Sequence, residues 1–219
     1  MNKRDLYVME QLKKDLDKKV MEQMKKELNN NSNLILVSTN QVQLSRTNLI
    51  LLNLLLHQMK LKGIFISVDR PHQYMVHLLN LQHIAQQNLI YLDLISSVSG
   101  QVLNVDNDID SKIIDGPFNV SEFPNMVFKG YSTDGMVSID SIDIKKQDFV
   151  LIDNIATLAC YNSIREIEGF VKEIIEIIKS ADKIICNITI DKHRDNHIFE
   201  LIKIFSNNII EVKEEWFHG

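Results

Sequence analysis

The hydrophobic rhythm of the chain changes at about residue 33. Between Asp5 and Leu28, the apolar residues Val8, Leu12, Leu16, Val20, Met24 and Leu28 recur every fourth position, with Met9 and Met21 beside them. Lysines and acidic residues fill the other face, a pattern that predicts an amphipathic helix. The run Asn29–Ser32 ends it and leads into the next element. From Asn33 onward, short apolar runs alternate with helical periodicity. Leu34–Ser38, Gly63–Val68, Leu89–Leu92, Phe149–Ile152, Lys183–Ile190 and Ile209–Val212 read as strands. Arg46–Leu61, a segment from Pro71 to about Gln87, Ile164–Lys179 and Asn196–Phe205 read as helices. Pro71 suits the first turn of its helix. Ile167, Phe170, Val171, Ile174, Ile175 and Ile178 form the inward face of the third.

Such alternation predicts βαβ units and a three-layer α/β fold: a mainly parallel central sheet with helices on both faces. The expected organisation is an N-terminal helix and linker over residues 1–32 and one α/β domain over 33–219. Ser96–Lys146 breaks the rhythm. It is rich in Gly, Pro, Asn, Asp and Ser, and reads as loops with one or two short helices.

The bulk numbers narrow the function classes. With 219 residues, 45% of them apolar, the chain can bury one sizeable core. The formal net charge is −5 and no basic cluster carries interleaved aromatics, which argues against nucleic acid as a partner. The charged N-terminus is unlike a secretion signal. The most apolar run, Leu49–Met59, is interrupted by Asn53, His57 and Gln58, so no membrane insertion is expected. Cys160 and Cys186 sit in apolar surroundings without metal-ligand spacing. They read as buried free thiols of a cytoplasmic protein.

Ligands on parallel sheets bind beyond the carboxyl ends of the strands, so candidate chemistry is sought there. The first strand is followed by Asn40-Gln41-Val42-Gln43-Leu44-Ser45-Arg46-Thr47. Laid on G-x-x-x-x-G-K-[ST], Asn40 takes the first glycine, Ser45 the second, Arg46 the lysine and Thr47 the hydroxyl. Asn tolerates the left-handed conformation. Arg46 keeps the positive charge in a longer, forked form. Thr47 can ligate Mg²⁺ and opens a helix whose N-terminus favours anions. The alternative is a plain turn with a polar cap. Asp69, after the second strand, either activates water beside a phosphate ester or caps the next helix. Asp153 ends FVLID, a Walker B pattern whose carboxylate would hold a Mg²⁺-bound water, with Asn154 next. Asn187, Thr189 and Asp191 near the end of the next strand would sense a γ-phosphate or stand as exposed polar positions. His193 and His197 have i,i+4 spacing but lack a third ligand.

The pieces LILVSTNQVQLSRTNLILLNLL, KGIFISVDRPHQYMVHLL, NLIYLDLIS, DFVLIDNIATLACYN and ADKIICNITI span about Asn33 to Val212. In this order the chain resembles the RecA/KaiC-like branch of the P-loop ATPases, and most of all small archaeal single-domain KaiC-like proteins. The resemblance implies a RecA-like fold with ATP and Mg²⁺ as cofactors if a nucleotide binds; the other reading is a chain with no cofactor. It places the phosphate lysine on Arg46, the Mg²⁺ hydroxyl on Thr47, the Walker B aspartate on Asp153 and the catalytic acid on Asp69. The chain departs from the family at Asn40, Ser45 and Arg46, and Asp69 is shorter than the expected glutamate. Loss of both glycines implies a non-hydrolysing regulatory or scaffolding protein that acts on a protein partner or as a homo-oligomer. The N-terminal helix would dock on a neighbour or fold back on its own sheet. The alternative is a weak ATP-binding switch or slow Mg²⁺-dependent ATPase.

Overall fold

The computed structural model describes residues 17–23, 25–26, 34–96, 109–114, 119–122, 127–130, 135–138, 144–180, 185–191, 196–206 and 208–212. Each predicted apolar run outside the middle region forms a strand. They are β1 (Leu34–Thr39), β2 (Gly63–Ser67), β3 (Leu89–Asp93), β7 (Phe149–Asp153), β8 (Ile185–Asp191) and β9 (Asn208–Glu211). Helices α1 (Gln41–Leu52), α2 (His72–Leu81), α3 (Ile164–Ser180) and α4 (Asn196–Phe205) lie between them. The middle region differs from expectation. It contributes β4 (Ser111–Ile114), β5 (Val127–Gly130) and β6 (Gly135–Ser138), with short 3₁₀ turns at Val120–Glu122 and Ile144–Lys146. Strands of four residues offer too few alternating positions to stand out from the Gly- and Asp-rich sequence around them.

The nine strands form one sheet in the order β6-β5-β4-β3-β2-β7-β8-β1-β9. From β4 through β9 every neighbouring pair is parallel, and β5 and β6 are antiparallel additions at the other edge. Because strand side chains alternate between faces, the sheet feeds two cores. Leu34, Leu36, Ile64, Ile66, Val150 and Ile152 pack with Ile167, Phe170 and Val171 of α3 and Ile198, Phe199 and Ile202 of α4. Ile35, Val37, Phe65, Tyr91, Phe149 and Leu151 pack with Leu51 and Leu52 of α1 and Met75 and Leu79 of α2. Gly63 opens β2 in register with Phe149, whose ring fills the space a Cβ would need.

Two helix details position the site. First, α1 starts at Gln41, five residues before the expected Arg46. Asn40 caps it: Gln43 N–H donates to Asn40 Oδ1 at 2.9 Å. Asn40 has φ −91° and ψ 162°, so it is extended and does not take the left-handed conformation. Gln41–Ser45 contains no Gly or Pro, so nothing stops a helix from continuing through it. After Leu52 the helix widens into a π turn over Asn53–Gln58. Second, the described part of the N-terminal helix folds back on this domain, and Val20 is buried in the same core as Ile50, Leu51 and Leu52.

Candidate functional site

Strand register gathers the polar strand ends into a row. Continuing the alternation past Phe149 and Leu151 places Asp153 on the α1 side of the sheet. In the same way Ser67 follows Phe65, Asp93 follows Tyr91, and Thr39 follows Ile35 and Val37. Ser67 pairs with Asp153 on one side and Asp93 on the other, and Thr39 pairs with Asp191. Each of these five side chains is buried.

Asp153 is the centre of the row. Asn48, fully buried on α1, donates from Nδ2 to Asp153 Oδ1 at 2.6 Å. Asn48 Oδ1 has no hydrogen-bond partner among the described residues. Burial, and then the charge of Asp69, push the Asp153 carboxyl up to about 7. The Asn48 hydrogen bond and the Arg70 charge pull the other way. Asp69 is itself held tightly. Its Oδ1 accepts from Thr157 Oγ1 at 2.6 Å and from Asn154 Nδ2 at 3.2 Å, and Arg70 Nε lies 3.6 Å from Oδ2. Asp69 therefore clamps the turn after β7; the cap of α2 is Pro71.

That turn holds a left-handed residue. Asn154 sits in the left-handed region at φ 45°, ψ 67°, unusual for a residue with a side chain. Four hydrogen bonds hold it there. Its N–H donates to Thr189 Oγ1 at 3.2 Å, its Oδ1 accepts from Asp191 N–H at 3.3 Å, and its Nδ2 reaches Thr157 Oγ1 (3.0 Å) as well as Asp69. Thr189 and Asp191 are thus buried framework and not exposed polar positions.

The residues aligned with a P-loop spread in different directions. Asp69 and Asp153 converge. Thr47 is buried, with its hydroxyl 3.4 Å from Thr39 Oγ1. Ser45 Oγ accepts from Arg70 Nη1 at 2.6 Å, and the Arg70 guanidinium lies 5.0 Å from the centre of the Tyr74 ring. Arg46 turns to the N-terminal helix, where Nη2 and Nε lie 2.9 and 3.1 Å from Asp17 Oδ1. The cation beside the two carboxylates is Arg70, from the end of β2.

A second buried polar cluster joins β3 to α2. Asp93 Oδ2 accepts from His72 N–H (2.7 Å) and Ser96 Oγ (2.6 Å) and lies 2.6 Å from His72 Nδ1. Its Oδ1 accepts from Ile95 N–H (3.0 Å) and Ser96 N–H (2.8 Å). Burial alone would push this carboxyl up. The hydrogen bonds from His72 and Ser96, with the charge of His72, outweigh it and hold the carboxyl below its usual range. LIYLD ends in aspartate just as FVLID does, and that shared ending is the signal for Asp93 in the sequence. Asn48 was visible as a lone amide inside the apolar run of α1. Cys160, expected to be buried, is exposed. The side chains of Cys186 and Asn187, and all of His193, lie outside the described residues. Among the described residues no group of three or more His, Cys, Asp or Glu is placed to hold a metal ion, and no helix is long and apolar enough to cross a membrane.

Chemically, the cluster presents two carboxylates with one arginine, one of them able to hold a proton near neutrality. No protein-family model and no curated protein matches the sequence. Solved structures do match in fold. The uncharacterized protein PH0321 from Pyrococcus horikoshii, crystallised in complex with an unknown peptide, superposes with a TM-score of 0.53 at 12% identity over 82% of this chain and 77% of that one. PH0250 from Pyrococcus horikoshii OT3 gives 0.53 at 11% identity over 84% and 83%. The flagellar accessory protein FlaH from Methanocaldococcus jannaschii gives 0.52 at 12% identity over 82% and 71%. At this identity the likeness is one of architecture: the chain has an α/β fold similar to RecA-like structures.

Proposed function

We propose that this chain is a RecA/KaiC-like domain with a degenerate nucleotide site, serving in the cytoplasm as a non-hydrolysing regulatory or scaffolding protein. It would act through contacts with a protein partner or with further copies of itself. The observation that carries this reading is the Asn48 amide donating to Asp153 at 2.6 Å. A magnesium ion needs a lone pair from that carboxylate and room for its water shell. The amide takes one lone pair of Oδ1, and burial with the Asp69 charge lifts the carboxyl to about 7, so the bare anion that magnesium needs is less available and the residues present fit a magnesium–nucleotide pair poorly.

Three further features support the reading. Gln41–Thr47 is helical from its first residue, so beyond the first turn its backbone N–H groups bond within the helix and do not wrap a phosphate. Arg46 is engaged by Asp17. Arg70 is anchored on Ser45, on Asp69 and on the Tyr74 ring. A protein partner is supported by the peptide bound to PH0321.

The second reading, a weak ATP-binding switch or slow ATPase, is favoured by the convergence of Asp69 and Asp153 at neighbouring strand ends. Thermal unfolding with and without millimolar Mg²⁺-ATP separates the two. A ligand at 100 times its Kd adds about 2.7 kcal/mol. The scaffold reading expects no shift. A shift that Arg46→Ala and Asp153→Ala both abolish overturns it in favour of the switch.

A further inference from the structure

Ser45, Thr47 and the residue after them, Asn48, each turn to a partner inside the chain. Ser45 Oγ accepts from Arg70 Nη1 at 2.6 Å, Thr47 Oγ1 lies 3.4 Å from Thr39 Oγ1, and Asn48 Nδ2 donates to Asp153 Oδ1 at 2.6 Å. The neighbouring carboxylate is supplied in the same way. Asp69 Oδ1 accepts from Thr157 Oγ1 and Asn154 Nδ2, and Arg70 Nε lies 3.6 Å from Oδ2. The chain thus brings its own donors to both carboxylates, from α1, from the end of β2 and from the turn after β7.

Asn48 is the member of this cluster that packing does not explain. It is fully buried, and the residues one turn away on its side of α1, Leu44, Leu51 and Leu52, are apolar. Its Oδ1 has no hydrogen-bond partner among the described residues. A buried acceptor left unpaired costs stability, and an apolar side chain of similar volume would avoid that cost. What the amide supplies is a neutral donor on one lone pair of Asp153 Oδ1. A divalent cation bound at a carboxylate contacts an oxygen directly and keeps several waters. With a buried side chain 2.6 Å from Oδ1, no hydrated ion reaches that oxygen from the side of α1.

We infer that Asn48 is a built-in substitute for a divalent cation at Asp153, and that this one side chain closes the strand-end cluster to metal. The inference rests on the reading of that cluster as a degenerate nucleotide site. It adds that closure is carried by a single residue and is undone by replacing it.

Titration of the full chain with Mn²⁺ alone, without nucleotide and at mildly alkaline pH, tests it. Mn²⁺ suits oxygen ligands, and electron paramagnetic resonance counts the bound ion. Broadening of the amide signals of Asp69, Asp153 and Asn154 shows where it sits. Asn48→Ala should bind Mn²⁺ about tenfold or more tightly than the wild type. Its unfolding temperature should rise with added Mn²⁺, and Asn48→Ala/Asp153→Asn should lose both effects. A merely structural Asn48 predicts otherwise: a variant less stable at every Mn²⁺ concentration that binds no more metal. Binding by Asn48→Ala no tighter than by the wild type, or undiminished by Asp153→Asn, overturns the inference and leaves the closed-site reading standing. Saturable binding at Asp153 of the wild type overturns both. If Asn48→Ala does not fold, Asn48→Ser, smaller than asparagine and still polar, decides by the same titration.

Discussion

Replacing Asp153 by asparagine should remove most of a loss of stability that the wild-type protein suffers as pH rises through neutrality. In the folded chain the Asp153 carboxyl is pushed up to about 7 by burial and by Asp69. In the unfolded chain it titrates near its ordinary value of about 3.9. Between these two values the folded state binds more protons than the unfolded state, so stability falls as pH rises. The stabilisation is fully present below about pH 4 and is lost through about pH 7. At about 1.4 kcal/mol per pH unit the ceiling is about 4 kcal/mol over the whole window, and about 2 kcal/mol of it falls between about pH 5.5 and pH 8. Asparagine keeps an acceptor for the Asn48 amide, which now donates at 2.6 Å, but does not titrate. Urea unfolding of both proteins at the two pH values is the assay. Contributions from groups that do not sense Asp153 are common to both proteins and cancel in the difference. The wild type should lose about 2 kcal/mol more than Asp153→Asn between the two pH values. Equal losses would refute the argument that Asp153 holds a proton in the folded protein.

Other expectations follow from the same contacts. Arg70→Gln removes a charge that lowers the Asp153 pKa, so the midpoint of this pH-dependent loss should move to higher pH in the same urea series; an unmoved midpoint would remove Arg70 from the account. Asp93→Ala strips the partner from His72 N–H, Ile95 N–H and both donors of Ser96. It should cost about 3 kcal/mol or more in chemical unfolding, because buried donors are left unpaired. Gly63→Ala drives a Cβ into the buried Phe149 ring. It should cost about 1–3 kcal/mol, with part recovered in the Gly63→Ala/Phe149→Leu double variant.

Much of the fold was legible because its signals are local. Leu34–Val37, Gly63–Ile66 and Phe149–Ile152 are apolar on both faces, as strands buried between two helical layers must be. The inward stripe of α3 has helical period, and its residues Ile167, Phe170, Val171 and Ile174 are buried. β4, β5 and β6 were missed because four-residue strands set among Gly- and Asp-rich sequence carry too little periodicity to stand out. The start of α1 was misplaced because the loop was aligned as a phosphate cradle, whereas Asn40 accepting from Gln43 N–H caps a helix at once.

By itself, then, the sequence determined the strands and helices outside the middle region, and that carboxylates follow β2 and end β7. These are consequences of side-chain period and of short-range backbone preference. What those carboxylates meet was decided by the tertiary structure. Asp153 faces the amide of Asn48, Asp69 bonds Thr157, Arg70 reaches Ser45, and Arg46 turns to Asp17. Each pairing depends on the register of parallel strands distant in sequence and on the rotation of α1 against the sheet. Burial then changes the chemistry of the groups brought together, lifting one carboxyl towards neutrality while hydrogen bonds hold another low.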